Sequence, residues 1–128
     1  MTVFDTNVVA DALLGTTGIR EEALKALRDA DEIVVPDLFF AELANVVWQY
    51  VSRAGVPLSR GLELLDDAEA LVTRSVPASA LWHRALELAV ERGHPAYDTL
   101  FVALAETEGT KLVTREARLR QRFPEFVR

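Results

Sequence analysis

The sequence predicts an α/β fold, a central, mostly parallel sheet of four or five strands with helices on both faces, and three observations lead there. Short β-branched or apolar runs alternate with longer segments of helical periodicity, the pattern of strands joined by helical crossovers. Gly15, Gly55, Gly93 and Gly109 and Pro36, Pro57 and Pro77 fall at the ends of these segments. The opening run, Thr2-Val3-Phe4, stops at an acid, Asp5, followed by the polar pair Thr6-Asn7. That is a strand-to-helix turn at the carboxyl edge of a sheet, where open α/β folds bind ligands.

The elements follow in order. After the strand Thr2-Val3-Phe4, residues 7–14 read as a short helix ended by Gly15, and residues 20–30 as a second with apolar spacing at Ala23, Leu24 and Leu27. Ile33-Val34-Val35 is a β-branched strand that stops at Pro36. Asp37 is a candidate N-cap for a helix to about Arg53, with Gly55 and Pro57 as stop signals. Residues 59–69 continue as helix, residues 71–76 as a strand bounded by Pro77, and residues 78–92 as a helix stopped by Gly93. A further helix starts near Tyr97 and ends at Gly109. Residues 111–114 then form a strand, residues 116–122 a helical turn or two, and Phe126-Val127 an edge strand. The helix after Asp37 is apolar on most sides, and its polar residues Glu42, Asn45 and Gln49 fall on one stripe. Such a helix is expected to lie against the sheet and also against a neighbour, a homodimer mate or another partner.

A chain of 128 residues fits a single domain, 1–128, that hides roughly two-thirds of its unfolded surface. Apolar residues at 50% and charged residues at 27% give a globular balance. No apolar stretch is long enough to span a bilayer, and the N-terminal residues do not read as a secretory signal. The absence of cysteine excludes a disulfide framework and a thiolate metal site, and a cytoplasmic location is expected. A net charge of −6 argues against nucleic-acid binding by bulk electrostatic attraction. The charge is unevenly spread, however: from Lys111 onward there are six basic residues and two acids, a local balance of +4 that leaves −10 on the rest. This segment reads either as an arginine-rich edge that meets phosphates, with Arg115 and Arg118 as the candidates, or as a solvated helix face ending in a basic tail.

Asp5 has three candidate companions. Glu42 lies in the early turns of the long apolar helix, Asp98 opens a late helix within Pro95-Ala96-Tyr97-Asp98-Thr99, and Glu116 follows the strand Leu112-Val113-Thr114. A parallel fold can gather them although the chain separates them widely. Clustered carboxylates repel, and a hard divalent cation held by oxygen ligands relieves that repulsion.

Taken together, a strand ending in Asp5-Thr6-Asn7, Glu42 early in the third helix, Tyr97-Asp98 opening a late helix, and Leu112-Val113-Thr114 followed by an acid resemble a PIN domain. At this size the chain is similar to the VapC-type toxins of bacterial and archaeal toxin–antitoxin pairs. The resemblance covers the whole chain and implies a PIN-like fold, a Mg²⁺- or Mn²⁺-dependent ribonuclease, usually a homodimer, and inhibition by a small antitoxin protein. Asp5, Glu42 and Asp98 match the family's acids, and Asn7 and Thr114 its polar supporting positions. Glu116 departs from the pattern, which has Asp two residues after the strand threonine, and its extra methylene lets it reach a metal or turn outward.

These residue types suit phosphodiester hydrolysis, because a divalent ion offsets the charge that develops on phosphate oxygens and activates a water for in-line attack. The expected roles are Asp5 and Asp98 as direct metal ligands, Glu42 as a ligand through water or an orienter of the attacking water, and Glu116 as an assistant. The bland readings are that Asp5 and Asp98 only cap helices and Glu42 is an ordinary solvated side chain. Thr6 and Thr99 are expected to bond only to local backbone. His83 and His94 have no partner at zinc-ligand spacing. Trp48, Tyr50 and Trp82 read as core or interface residues. A receiver domain would need a phosphoacceptor Asp after the third strand, where Ser75-Val76-Pro77 stands, and an Asp-x-Asp phosphatase would need Asp at position 7. The remaining alternative is a PIN-like protein-binding module with weak or lost nuclease activity.

Overall fold

Four strands, β1 (Thr2–Phe4), β2 (Ile33–Pro36), β3 (Arg74–Val76) and β4 (Leu112–Val113), form one sheet in the order β3-β2-β1-β4. The computed structural model describes residues 1–128. Every pairing is parallel, with Val3 opposite Val34 on one side and opposite Leu112 on the other. Seven helices surround the sheet: α1 (Thr6–Leu14), α2 (Thr17–Asp29), α3 (Leu38–Arg53), α4 (Leu58–Leu71), α5 (Trp82–Arg92), α6 (Ala96–Glu108) and α7 (Ala117–Arg122).

The winding direction reverses at β1. From β1 the chain moves outward through β2 to β3, then crosses back to β4 on the other side of β1. Right-handed crossovers therefore put α1 to α4 on one face and α5 and α6 on the other. The packing agrees, since α1 touches α2, α3 and α4, while α5 packs against α6. The crevice at the carboxyl end of β1 is thus the reversal point at which doubly wound sheets bind ligands, and the residue beyond β1 is Asp5.

The core is built from Val3, Phe4, Val34 and Val35 of the sheet, Phe39, Leu43 and Val47 of α3, and the unbroken buried run 101–105 of α6. A helix buried on all sides needs cover on all sides, and α6 has it from β1, β2, β4 and α5. On α3 the buried residues recur every fourth position, while Phe40, Ala44 and Trp48 recur on an exposed flank. The neighbour expected beside α3 is thus given a surface, and the expected contact with the sheet is present.

The expected elements are found with shifted boundaries, except the edge strand at Phe126-Val127. The second helix begins at Thr17 rather than residue 20. The strand expected over residues 71–76 is confined to Arg74–Val76, because the buried stripe of α4, Gly61, Leu64 and Ala68, carries the helix on to Leu71. Thr73 already joins β2: its N–H donates to the Ile33 carbonyl at 2.8 Å and its hydroxyl accepts from the Ile33 N–H at 3.0 Å. Asp37 does not cap α3 with its side chain. Its carboxylate instead accepts the Ala78 N–H at 2.9 Å. There it holds a 3-10 turn, Ala78–Ala80, that breaks the helix expected over 78–92, so α5 starts only at Trp82. Phe126-Val127 adds a single bridge, Val127 to Leu112, rather than a fifth strand. No helix is long and apolar enough to cross a membrane.

One glycine sets the fit of α4 on α3. A Cβ on Gly61 would lie 3.0 Å from Val51 Cγ2 and 3.1 Å from Val47 Cγ1, so the two helices approach as closely as a bare backbone permits. Gly61→Leu should push α4 outward and destabilise the fold by about 1–3 kcal/mol, measurable as a lower urea midpoint.

Candidate active site

Asp5 is held from both sides of the sheet edge. It is the N-cap of α1, with extended backbone angles, and its Oδ1 accepts the Thr6 N–H at 2.8 Å. Its Oδ2 accepts the hydroxyl of Thr114 at 2.7 Å. Thr114 follows β4 and is brought alongside because β4 pairs with β1, a pairing extended by the Asp5 N–H donating to the Val113 carbonyl. The capping reading of Asp5 is therefore correct and incomplete, because one oxygen caps and the other faces a threonine 109 residues away. Burial raises the Asp5 carboxyl from 3.8 to about 6; the Thr114 hydrogen bond opposes this, and the charges of Asp98 and Glu42 add to it.

Glu42 projects from the second turn of α3 and accepts the Thr6 hydroxyl at 2.7 Å. Its carboxyl also lies above the ordinary range, through burial first and the Asp98 charge as well, with the Thr6 hydrogen bond opposing. The expectation that Thr6 bonds only to local backbone is thus corrected: its N–H serves Asp5 and its hydroxyl serves Glu42, so one residue aligns two acids. Thr99 bonds to local backbone as expected, donating to the Ala96 carbonyl at 3.1 Å, but also donates to the Ala85 carbonyl on α5 at 2.7 Å.

Asp98 sits in the first turn of α6, with Oδ2 2.7 Å from Nε2 of His94. His94 is buried, and its Nδ1 lies 2.9 Å from Nη1 of Arg122. Sequence reasoning searched the histidines only for zinc-ligand spacing, and missed His94 as a partner of Asp98 four residues on. Glu116 is the N-cap of α7, its Oε1 accepting the Arg118 N–H at 3.3 Å, while its own N–H donates to Thr114 Oγ1 at 3.0 Å.

The four acids meet. Asp5, Glu42, Asp98 and Glu116 line one pocket of about 270 Å³ together with Thr6, Asn7, Asn45 and Val46. Asn45 enters it from the polar stripe of α3, one turn beyond Glu42. Asn7 also braces the far side, its Oδ1 accepting the Arg115 N–H at 3.3 Å. The Arg115 guanidinium is engaged by Asp11, with Nη2 2.9 Å from Oδ1, and does not line this pocket. Arg118 is exposed. Trp48 and Trp82, expected in a core or an interface, are more than half exposed.

An all-oxygen donor set fits a hard divalent cation and not a thiolate- or imidazole-seeking one. Burial first, and the charges of Asp98 and Glu42 after it, raise the Asp5 carboxyl, and a bound cation would offset that cost. As placed, no three of the His, Asp and Glu side chains close into an ion-holding group. An ion held here would take few protein oxygens and keep several waters, as Mg²⁺ does.

The model of the PIN domain family matches residues 2–122. The chain belongs to the PIN domain family. It is 32% identical over 111 residues to a ribonuclease VapC3 of Pyrobaculum aerophilum, an alignment that covers 84% of this chain and 83% of that protein. A toxin–antitoxin complex from Klebsiella pneumoniae holds a chain of the same fold, with TM-score 0.76 at 19% identity, covering 100% of this chain and 97% of that one. VapBC2 from Rickettsia felis, bound to a DNA fragment from its promoter, gives 0.69 at 17%, covering 98% and 95%. FitAcB from Neisseria gonorrhoeae gives 0.66 at 20%, covering 91% and 88%. The four-stranded parallel sheet and its seven helices are the PIN-like fold of these neighbours.

The Thr114 hydroxyl stabilises the ionised form of a buried acid, and hydrogen bonds to charged groups are worth about 1.5–3 kcal/mol. Thr114→Val should raise the Asp5 pKa from about 6 by roughly one to two units, at 1.36 kcal/mol per unit, read by carboxyl-carbon NMR titration. The folded state also holds the Asp5 proton more tightly than the unfolded chain. The stability this group confers is thus full below pH 4 and is lost as pH rises through about 6. Over that span the metal-free wild type should lose stability relative to Asp5→Asn by on the order of 3 kcal/mol, seen as diverging urea midpoints.

Proposed function

We propose that this PIN domain protein is a Mg²⁺- or Mn²⁺-dependent endoribonuclease and the toxin of a type II toxin–antitoxin pair, with Asp5, Glu42, Asp98 and Glu116 as its catalytic carboxylates. The observation that carries the reading is the convergence of these four acids, from four separate elements, on one pocket at the reversal point of the sheet. Kinship with a protein named as a ribonuclease, over most of both chains, supports the reaction class. Likeness to chains from toxin–antitoxin complexes agrees with the fold such a toxin would have.

A divalent ion bound in the pocket would supply Lewis acidity toward a phosphate oxygen and lower the pKa of a water. Asp5 and Asp98 are the direct ligands in this reading, since their carboxylates are the most firmly oriented, by Thr6 and Thr114 in one case and by His94 in the other. Glu42, fixed by the Thr6 hydroxyl, faces the same space and orients the attacking water or binds through one. Glu116 has one oxygen engaged in capping α7 and the other free to assist. Asn7 and Thr114 support the arrangement. Arg118 is the better phosphate contact of the two arginines, because Arg115 is already paired with Asp11.

A small antitoxin and a second copy of the chain are the proposed protein partners. Exposed Trp82, Leu86 and Val90, one above another on α5, and exposed Phe40 and Trp48 on α3 offer apolar area for such contacts.

Asp5→Asn should abolish Mn²⁺- or Mg²⁺-dependent cleavage of RNA while leaving the circular dichroism spectrum intact. Retained cleavage overturns the reading, and a wild type that turns over no RNA with either ion favours a protein-binding module. Because Asp5 must lose its proton to bind a cation, metal affinity of the wild type should climb by about tenfold per pH unit below pH 6 and level off above it, as followed by Mn²⁺ titration.

A further inference from the structure

The group that steadies Asp98 reaches beyond the pocket. His94 precedes the N-cap Pro95 of α6, is 5% exposed, and touches two side chains at once, with Nε2 2.7 Å from Asp98 Oδ2 and Nδ1 2.9 Å from Arg122 Nη1. A guanidinium can only donate hydrogen bonds, so the Nδ1 facing Arg122 must be the lone-pair nitrogen and Nε2 the one that carries hydrogen. The ring is thereby fixed as a donor toward Asp98. Arg122 is itself anchored, as the same Nη1 donates to the Gly93 carbonyl at 2.8 Å and its own carbonyl accepts from Arg92 at 2.7 Å. Phe123 stands edge-on to the imidazole at 5.8 Å and closes its flank.

We propose that Arg122 and His94 form a positioning relay that sets the tautomer of the imidazole and, through Nε2–H, the orientation of the Asp98 carboxylate toward a bound divalent cation. The proposal rests on the reading of Asp98 as a metal ligand. A carboxylate on a helix's first turn has several rotamers, and a neutral, buried donor selects one without adding a positive charge that would compete with the cation. It leaves Oδ1 free for the pocket. The end of α7, the last helix of the chain, thus acts on the acid that opens α6 without touching the pocket itself. Hydrogen-bond partners behind metal ligands typically matter by about 10- to 100-fold in affinity or activity.

Two near-isosteres separate this role from simple packing. Gln places an amide nitrogen where Nε2 stands, and so can donate to Asp98. Asn places its polar atoms where Nδ1 stands, and so keeps the link to Arg122 but cannot reach Asp98. Mn²⁺ affinity, measured on the full chain by electron paramagnetic resonance, should stay within about 3-fold of wild type in His94→Gln and fall by about 10- to 100-fold in His94→Asn. RNA cleavage at subsaturating Mn²⁺ should follow the same order, with excess metal restoring His94→Asn. Arg122→Gln should weaken Mn²⁺ binding as well. Long-range nitrogen NMR of the metal-free wild type should show Nδ1 as the unprotonated nitrogen. Equal Mn²⁺ affinities for His94→Gln and His94→Asn, or protonation at Nδ1 in the wild type, overturn the relay while leaving the nuclease reading in place. A wild type that binds no Mn²⁺ overturns both.

Discussion

The structure turns on a carboxylate buried at the end of its central strand. Asp5 is 7% exposed at a place where three other acids converge, and a charge so placed is tolerated only when hydrogen bonds and a counterion compensate its desolvation. Two of those hydrogen bonds are supplied by neighbours that the sheet itself delivers. The Thr6 N–H exists as a free donor because α1 begins there, and the Thr114 hydroxyl arrives because β4 inserts beside β1. What the hydrogen bonds leave uncompensated is the cost of burial first and the mutual repulsion of Asp5, Asp98 and Glu42 after it, and together these displace the Asp5 and Glu42 carboxyls upward. The fold therefore gives up stability at this point, as it does wherever like charges are gathered in a partly buried cluster.

Threonines arrange the acids. Thr6 connects α1 to α3 through Glu42, and Thr114 connects β4 to β1 through Asp5 while accepting the Glu116 N–H that starts α7. Each hydroxyl is donor to a carboxylate, and that of Thr114 is acceptor from a backbone amide as well, which fixes its proton direction. The result is a rigid support for four side chains of which only Asp5 comes from a strand terminus. The other three belong to helices, and their aim depends on how those helices pack on the sheet.

Much of this was legible in the residues. Strand-ending Asp5, helix-opening Asp98 and post-strand Glu116 are recognisable because the punctuation around them is local, namely an apolar run, a turn and a helical period. Glu42 was found from its place on the helix after Ile33-Val34-Val35. Boundaries that depend on distant partners were not legible. Nothing near Asp37 indicates that its carboxylate will hold the Ala78 amide and break a helix 41 residues on. Nor does anything near Leu71 announce that the buried stripe of α4 will outlast a β-prone sequence. The site partners followed the same division. Thr6 sits beside Asp5 in the chain, yet its hydroxyl belongs to Glu42, 36 residues away. The signal for His94 was present as its four-residue spacing from Asp98. The intervening Pro95 marks a turn, and a turn histidine invites a search for metals rather than for a carboxylate to orient.

The order of strands in the sheet has a consequence for when the pocket comes into being during synthesis. β1 is made first and β4 last, and the contact that completes the Asp5 environment joins residues 109 apart. Closure across such a span is slow and comes late in folding. A ribosome that has released the first three strands exposes Asp5 to water on the side where β4 will lie, with Thr114 and Glu116 still to emerge. Asp5 and Glu42 can thus already be joined through Thr6 while the side of the pocket formed by Thr114 and Glu116 is still missing.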